Sequence, residues 1–332
     1  MTRPPFAPAH MAWAMRAAES IGAAFRPIDP RAWALAEARR DGRRLFIGAH
    51  GVCPYPINAA GAVGVARDKS HAAALLAEAG LEIPEGDRFY VSDAYSEQRE
   101  AGATTEAAIA YAESLGWPVF AKPNDGARGA FARLAADADA LRAALAAMGD
   151  RHPVALVQRV LEGEERRLFV LDGRIVYHHR RESAALTADG AADIATLLDQ
   201  EDARLRAQGL TPIDRADPAL RAAMAAQGWG FDDAPPPGAR LPLGGRRGVS
   251  SGGGAADLRE AAPADFADIA ARAAEALGLR VMGLDLILAP DRAAPVVLEA
   301  NGAPGMTALA TFGREDLAVA IWRRILQAGF EA

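Results

Sequence analysis

Asp285 lies inside the apolar stretch Val281–Leu288, and Glu299 and Asn301 flank Ala300 at the end of the next apolar run, Val296–Ala300. If the two runs are strands of a hairpin, their three oxygen-bearing side chains can meet, and alternation places Glu299 and Asn301 on one face. A carboxylate within so apolar a strand is costly to bury unless it is paired or metal-bound. Two carboxylates and an amide are hard oxygen donors, which suit Mg²⁺, an ion that keeps waters and takes further ligands from substrate phosphates. The spacing alone equally fits strand-end carboxylates solvated at the surface.

Arginine has replaced lysine almost everywhere: of 37 Lys+Arg residues only Lys69 and Lys122 are lysines. Either a compositional bias has spared two positions by accident, or both positions need a compact ammonium. Lys122 ends the short apolar run Val119–Ala121 and is followed by Pro123-Asn124-Asp125-Gly126-Ala127-Arg128-Gly129-Ala130. Glycines there would let backbone N–H groups approach an anion. The segment matches neither the Walker pattern nor the dinucleotide fingerprint, so a plain turn is the competing reading. From Val160 to Arg167, three acids and two arginines surround Gly163. Most of these charges read as a solvated turn with ion pairs worth little, while alternation lets Glu165 and Arg167 share a face.

The elements that must position these residues follow from periodicity and punctuation. Helices are expected over Met11–Ile21, Pro30–Arg39, from near Asp68 to Gly80, Glu106–Leu115, up to Gly149 along Leu141, Leu145 and Met148, Ala191–Gln208, Ala264–Leu277 and Glu315–Gln327. Strands are expected at Phe25–Ile28, Arg44–Gly48, Val119–Ala121, Val154–Val160, Arg167–Leu171, Arg174–His179, Val281–Leu288 and Val296–Ala300, with Asp172-Gly173 closing a tight hairpin. Pro212–Gly254 is rich in Gly, Pro and Arg and reads mainly as a long loop, its Gly244–Gly254 end as a mobile flap over substrates.

Composition bounds the rest. With 332 residues, 51% hydrophobic and 24% charged, the chain reads as a globular protein of two domains, or of two or three lobes around a cleft. A net charge of −6 offers no electrostatic footprint for nucleic acid. Cys53 is the only cysteine, which excludes an intrachain disulfide and a Cys-rich zinc site. No apolar run is long enough for a membrane span, and prolines interrupt the N-terminal stretch where a signal peptide would need a continuous apolar core. A soluble, cytoplasmic protein is expected.

Taken in order, these segments resemble the ATP-grasp superfamily, and within it the ATP-grasp modules of cyanophycin synthetase and bifunctional glutathione synthetase. Asp68-Lys69 opening a helix that ends Gly80-Leu81-Glu82-Ile83-Pro84 is similar to the family's Asp-Lys helix. Lys122-Pro123 with Gly126 and Gly129 resembles its second lysine and phosphate loop. Gly163-Glu164-Glu165-Arg166-Arg167, then Arg181 with Asp189-Gly190, then Ser250-Ser251-Gly252-Gly253 resemble its middle segments, and Gly-x-Asp with Glu-x-Asn its metal site. Gln158, Ser183 and Gly248 depart from the pattern, standing where relatives carry an acid, a proline and an asparagine.

The resemblance implies an α+β, or α/β, ATP-grasp fold: a small N-terminal α/β lobe (1–66), a central lobe with the glycine loop (67–152) and a C-terminal lobe with the metal site (153–332). It implies an ATP-dependent carboxylate–amine ligase that forms an amide through an acyl phosphate on an amino acid or small peptide. Lys69 and Lys122 would neutralise phosphates, Gly126 and Gly129 would cover them, Glu165 would bind ribose, and backbone at Gln158, Val160 and Leu161 would receive adenine. Asp285, Glu299 and Asn301 would hold Mg²⁺, or Mn²⁺ in its place. Arg167, Arg181, Arg246, Arg247, Ser250 and Ser251 would hold the substrate carboxylate and the oxyanion. The implied partners are small-molecule carboxylate and amine substrates, with no nucleic acid and no membrane, and a homo-oligomer stays open. An ATP-binding protein that has lost ligation and a phosphotransferase that makes no amide are the alternatives.

Overall fold

The computed structural model describes residues 8–49, 53–92, 104–126, 131–207, 212–247 and 253–332. In chain order the elements begin with α1 (Ala9–Ser20), β1 (Ala24–Pro27), β2 (Leu35–Arg40), β3 (Arg43–Gly48), α2 (Ala60–Arg67) and α3 (Lys69–Glu78). Then come β4 (Gly86–Tyr90), α4 (Thr105–Leu115), β5 (Val119–Pro123), β6 (Arg133–Ala135), α5 (Ala138–Met148), β7 (Val154–Arg159), β8 (Glu164–Leu171) and β9 (Arg174–Thr187). The remainder is α6 (Ile194–Ala207), α7 (Pro218–Ala226), β10 (Arg240–Arg247), β11 (Gly254–Arg259), α8 (Ala264–Leu277), β12 (Val281–Leu288), β13 (Val296–Asn301), α9 (Thr307–Thr311) and α10 (Glu315–Glu331). No described helix is long and apolar enough to cross a membrane.

Residue contacts divide the chain into two units. The first comprises Met1–Ile83, Arg166–His179 and Asp257–Ala332, the second Pro84–Glu165 and Arg180–Ala256.

In the first unit, strands β9, β8, β12 and β13 are neighbours in that order. Alternate residues of β8 serve two cores. Leu168 and Val170 pack with Leu76, Phe266, Ile269 and Leu277, while Phe169 and Leu171 pack with Trp13, Trp33, Ile47 and Trp322. A sheet covered on both faces needs apolar residues at nearly every position, which is why β12 reads as a continuous hydrophobic run.

The N-terminal part of this unit is a three-stranded antiparallel sheet, β1-β2-β3, against which α1 packs. Its middle strand corrects the helix expected over Pro30–Arg39. Ala-rich composition favours a helix, but local propensity is weak against packing. As a strand, the segment buries Ala36 and Ala38 on one face and turns Glu37 to the other, where Glu37 is only 2% exposed. Arg26 Nε and Arg39 Nε donate to Glu37 Oε1 at 2.9 and 3.0 Å.

Asn58, in the loop before α2, ties that loop to the large sheet. Its amide nitrogen donates to the carbonyls of Val281 and Gly302 at 2.7 and 2.8 Å. Its carbonyl oxygen accepts from the N–H groups of Arg280 and Val281 at 3.0 and 2.8 Å. One side chain thereby satisfies backbone groups at the start of β12, at the residue before it and at the residue that follows β13.

The second unit holds a four-stranded antiparallel sheet of order β4-β7-β5-β6. Helix α5 presents Leu141, Ala144, Leu145 and Met148 at helical spacing to this sheet. Thr104 and Asp137 cap α4 and α5 by accepting backbone N–H bonds. A second core in this unit joins Ala184 and Leu186 of β9 to α6, α7 and β10. This corrects the loop expected over Pro212–Gly254: α7, β10 and the first residue of β11 lie within it, and Leu220, Met224, Leu241 and Leu243 are buried. Those apolar residues come in short groups between Pro and Gly, too few at a time to show a period. The expected flap is partly strand, since Gly244–Arg247 belong to β10, and residues 248–252 lie outside the described residues.

Two outcomes follow from the first unit. Asn58→Ala leaves buried backbone groups unpaired and is expected to cost about 2–3 kcal/mol, lowering the melting temperature by roughly 5–10 °C; an unchanged melting curve would contradict the staple. Hydrogen bonds from Arg39 and then Arg26 hold the Glu37 carboxyl below its ordinary value of 4.5, against the effect of burial. A carboxyl lowered in the folded state stabilises above its unfolded value and loses that contribution as pH falls through the folded one. Glu37→Gln is therefore expected to lower the melting temperature at neutral pH and to flatten its decline between about pH 5 and pH 3. Parallel pH profiles for the two proteins would remove Glu37 from the acid response.

Candidate active site

Strands β12 and β13 pair antiparallel with Gly283 opposite Asn301 and Asp285 opposite Glu299. The expected hairpin therefore forms, and Asp285, Glu299 and Asn301 share one face. A register irregularity follows, because Leu286 lies opposite Val297 rather than Leu298. The extra residue has a clear use. Val297 packs into the core with Leu286, while Glu299 lies on the other face opposite Asp285; strict alternation would have put 297 and 299 on the same side.

Asp285 is 4% exposed. Arg167 on β8 donates from Nη1 to Asp285 Oδ2 at 2.8 Å. Burial works against the guanidinium charge, but Asp285 and then Glu299 outweigh it and raise its pKa. Gly283 makes room for this arrangement: a Cβ there would lie 2.8 Å from Arg167 Cζ and 2.8 Å from Pro304 Cβ. Tyr177, stacked on Phe169 with ring centroids 5.3 Å apart, is kept neutral mainly by its burial. The Tyr55 hydroxyl donates to the Pro304 carbonyl, which fixes the turn after β13.

Asp68 caps α3 by accepting from the His71 N–H at 2.9 Å, so Lys69 enters at the first turn as expected. Its side chain is 10% exposed, and Nζ lies 3.8 Å from Glu299 Oε1. Asn301 Oδ1 accepts from the Ala303 N–H at 2.8 Å. Lys69, Arg167, Asp285, Glu299 and Asn301 are thus gathered in the first unit.

Among the described residues no group of three His, Cys, Asp or Glu side chains could hold a metal. The donors here are two opposed carboxylates and one amide, all hard oxygens. That set fits Mg²⁺ or Mn²⁺ carried by a phosphate-bearing substrate, because such an ion completes its shell with phosphate oxygens and water.

The second unit carries the other expected nucleotide residues. On its four-stranded sheet Phe120 lies opposite Gln158 and Lys122 opposite Leu156. These four share the face away from the α4–α5 core, into which Val119, Ala121, Ala155 and Val157 point. Gln158 is buried, and Gly86 opposite it leaves space for its side chain, since a Cβ at Gly86 would stand 2.5 Å from Gln158 Cγ. Val160 and Leu161 are half-buried in the segment after β7, and Glu165 is half-buried on β8. Gly126 packs on Pro123, whose Cβ would be 2.8 Å from an added Cβ.

Arg181 is half-buried on β9. Asp189 spends its carboxylate on its own turn, accepting from the Ala191 and Ala192 N–H groups at 2.8 Å each. Arg246 and Arg247 belong to strand β10, with Arg247 in register opposite Ser183. Gly129, Ser250 and Ser251 lie outside the described residues. Sequence reasoning missed the space-making role of Gly283 and the staple Asn58. The Gly-x-Asp spacing signals the first, and nothing local signals the second.

The Arg167–Asp285 pair generates a stability test. Removing one partner of a buried ion pair leaves an uncompensated charge and costs about 3–5 kcal/mol. Arg167→Met is expected to be destabilised on that order, and adding Asp285→Asn should restore most of the loss. Equal instability of the single and double variants in urea denaturation would mean that the pair is not coupled.

No family model matches the chain. Among curated proteins it is 29% identical over 266 residues to the cyanophycin synthetase of Geminocystis herdmanii, a match spanning 75% of this chain and 29% of that protein. It is 29% identical over 137 residues to the glutathione biosynthesis bifunctional protein GshAB of Desulfotalea psychrophila, spanning 40% of this chain and 18% of that one. The chain therefore spans less than a third of the length of these relatives. Among solved structures, a bifunctional glutathione synthetase from Pasteurella multocida superposes with a TM-score of 0.53 at 18% identity, over 93% of this chain and 42% of the other. That likeness is one of fold. Together with the sequence matches, it supports the resemblance to the ATP-grasp superfamily.

Proposed function

We propose that this protein is an ATP-dependent carboxylate–amine ligase that forms an amide, releasing ADP and phosphate, on an amino acid or short peptide. The observation that carries the reading is the face bearing Asp285, Glu299 and Asn301 with Lys69 and Arg167, which combines hard oxygen donors and cations on adjacent elements. The names of the relatives, cyanophycin synthetase and glutathione biosynthesis bifunctional protein, support it.

In this reading Lys69 and Lys122 neutralise the triphosphate, and the backbone at Gly126 and Gly129 donates to it. Glu165 accepts hydrogen bonds from ribose, and backbone at Gln158, Val160 and Leu161 receives adenine. Asp285, Glu299 and Asn301 hold Mg²⁺, with Mn²⁺ as a substitute; the ion would offset charge on the phosphoryl oxygens during transfer. The acceptor carboxylate attacks the γ-phosphorus and ADP leaves. An amine then opens the acyl phosphate and phosphate leaves. Arg167, Arg181, Arg246, Arg247, Ser250 and Ser251 orient the acceptor and the developing oxyanion. Arg167 is suited to do so while holding Asp285, because a guanidinium offers several donors in a fixed plane. Holding the reactants together can replace up to about 7–11 kcal/mol of entropic cost, the main contribution such a site makes. Lobes at 1–66, 67–152 and 153–332 and a cytoplasmic location belong to the same proposal.

The test is ADP release across a panel of amino acids and short peptides, with product mass read in parallel. Release that requires both a carboxylate and an amine is expected, and release with neither would contradict ligation. Glu299→Gln should lower turnover by several orders of magnitude with the fold intact, whereas near-normal turnover with a lower melting temperature would make this face structural. Lys122→Ala should raise the ATP requirement strongly and Lys122→Arg less so; unchanged nucleotide affinity in Lys122→Ala would remove it from the phosphates.

A further inference from the structure

We infer that His152 is a positioning residue for the nucleotide phosphates, holding the glycine loop at both of its described ends. The inference rests on the nucleotide reading proposed above. His152 follows the short 3-10 turn Gly149–Arg151 and stands two residues before β7. Its Nδ1 lies 2.9 Å from Asp125 Oδ1, a hydrogen bond to the residue next to Gly126. Its ring meets the Phe131 ring edge to face, with centroids 5.4 Å apart. Asp125 leaves β5 and Phe131 leads into β6, so one side chain from the β7 side of the sheet touches the entry and the exit of the loop between those strands.

Two further features show that both ends are held in place. The Asn124 N–H donates to the Val154 carbonyl at 2.9 Å, which extends the β5–β7 pairing to the loop's first residue and brings Asp125 beside His152. Phe131 has φ +58°, a left-handed conformation that bulky residues rarely adopt and that persists only where neighbours hold it. The ring of His152 is such a neighbour. The proposed role needs this side chain in particular, because it combines a donor for Asp125 with a flat face for Phe131.

The experiment is calorimetric titration of the full chain with a non-hydrolysable ATP analogue and Mg²⁺, comparing the unaltered protein with His152→Ala, His152→Phe and His152→Asn, and recording melting temperatures. His152→Ala is expected to weaken binding on the order of tenfold, as loss of one hydrogen bond and one ring contact implies. His152→Phe keeps the ring and His152→Asn keeps a donor, so each should recover part of the affinity, with melting temperatures close to the unaltered value. If the unaltered chain binds the analogue and His152→Ala binds it equally well, the inference is overturned while the nucleotide reading stands. An equal loss in all three variants, accompanied by a lowered melting temperature, overturns it too, since it would report damage to the fold. If the unaltered chain does not bind the analogue, the nucleotide reading fails and the positioning role fails with it.

Discussion

Asp285 is a carboxylate held within an apolar strand, and the guanidinium of Arg167, 2.8 Å from its Oδ2, is what allows it to be there. The rest of the first unit is arranged around that pair. Gly283 has no side chain because Arg167 and Pro304 fill the space, Tyr55 secures the Pro304 carbonyl, and the extra residue in β13 turns Glu299 to the same face while returning Val297 to the core. A face so built keeps two carboxylates and an amide side by side with an ammonium and a guanidinium already close. The charged groups are thereby held in place by the fold itself, which is the form of preorganisation that the proposed chemistry needs for effective electrostatic stabilisation.

The second unit solves a different problem with a different device. Its sheet gives one face to α4 and α5, and its other face aligns Phe120, Lys122, Leu156 and Gln158 by register alone. Lys122 therefore stands near the end of a strand that pairs with β6 up to Ala121 and with β7 through Pro123. A strand paired along its length fixes the positions of its residues, so a lysine placed there has a defined position.

Much of this was legible in the sequence, and the reasons are physical. Asp285 is conspicuous because ionisable residues are rare within runs such as Val281–Leu288, and the two lysines stand out against a background of arginine. The capping aspartate before Lys69 and the glycines ending α4 and α5 are local signals, which a short window can read. Strand β2 was misread because its alanines carry helix propensity, whereas its real determinant, the pairing of Glu37 with two arginines and the burial of Ala36 and Ala38, is spread over β1 and β2. The elements within Pro212–Gly254 escaped for a related reason: Leu220, Met224, Leu241 and Leu243 form a core only together with β9 and α6. Asn58 gave no signal because its partners are more than 200 residues away in sequence.

The most direct test of the central claim follows an oxygen atom. If a substrate carboxylate attacks the γ-phosphorus, one of its oxygens stays with phosphate when the amine displaces it. With amino acid or peptide acceptors labelled with ¹⁸O in the carboxylate, and ATP, Mg²⁺ and an amine present, the released phosphate should carry one ¹⁸O and the amide product should retain the other. Release of unlabelled phosphate at the same rate would mean that water, not a carboxylate, receives the phosphoryl group, and would contradict the ligase account.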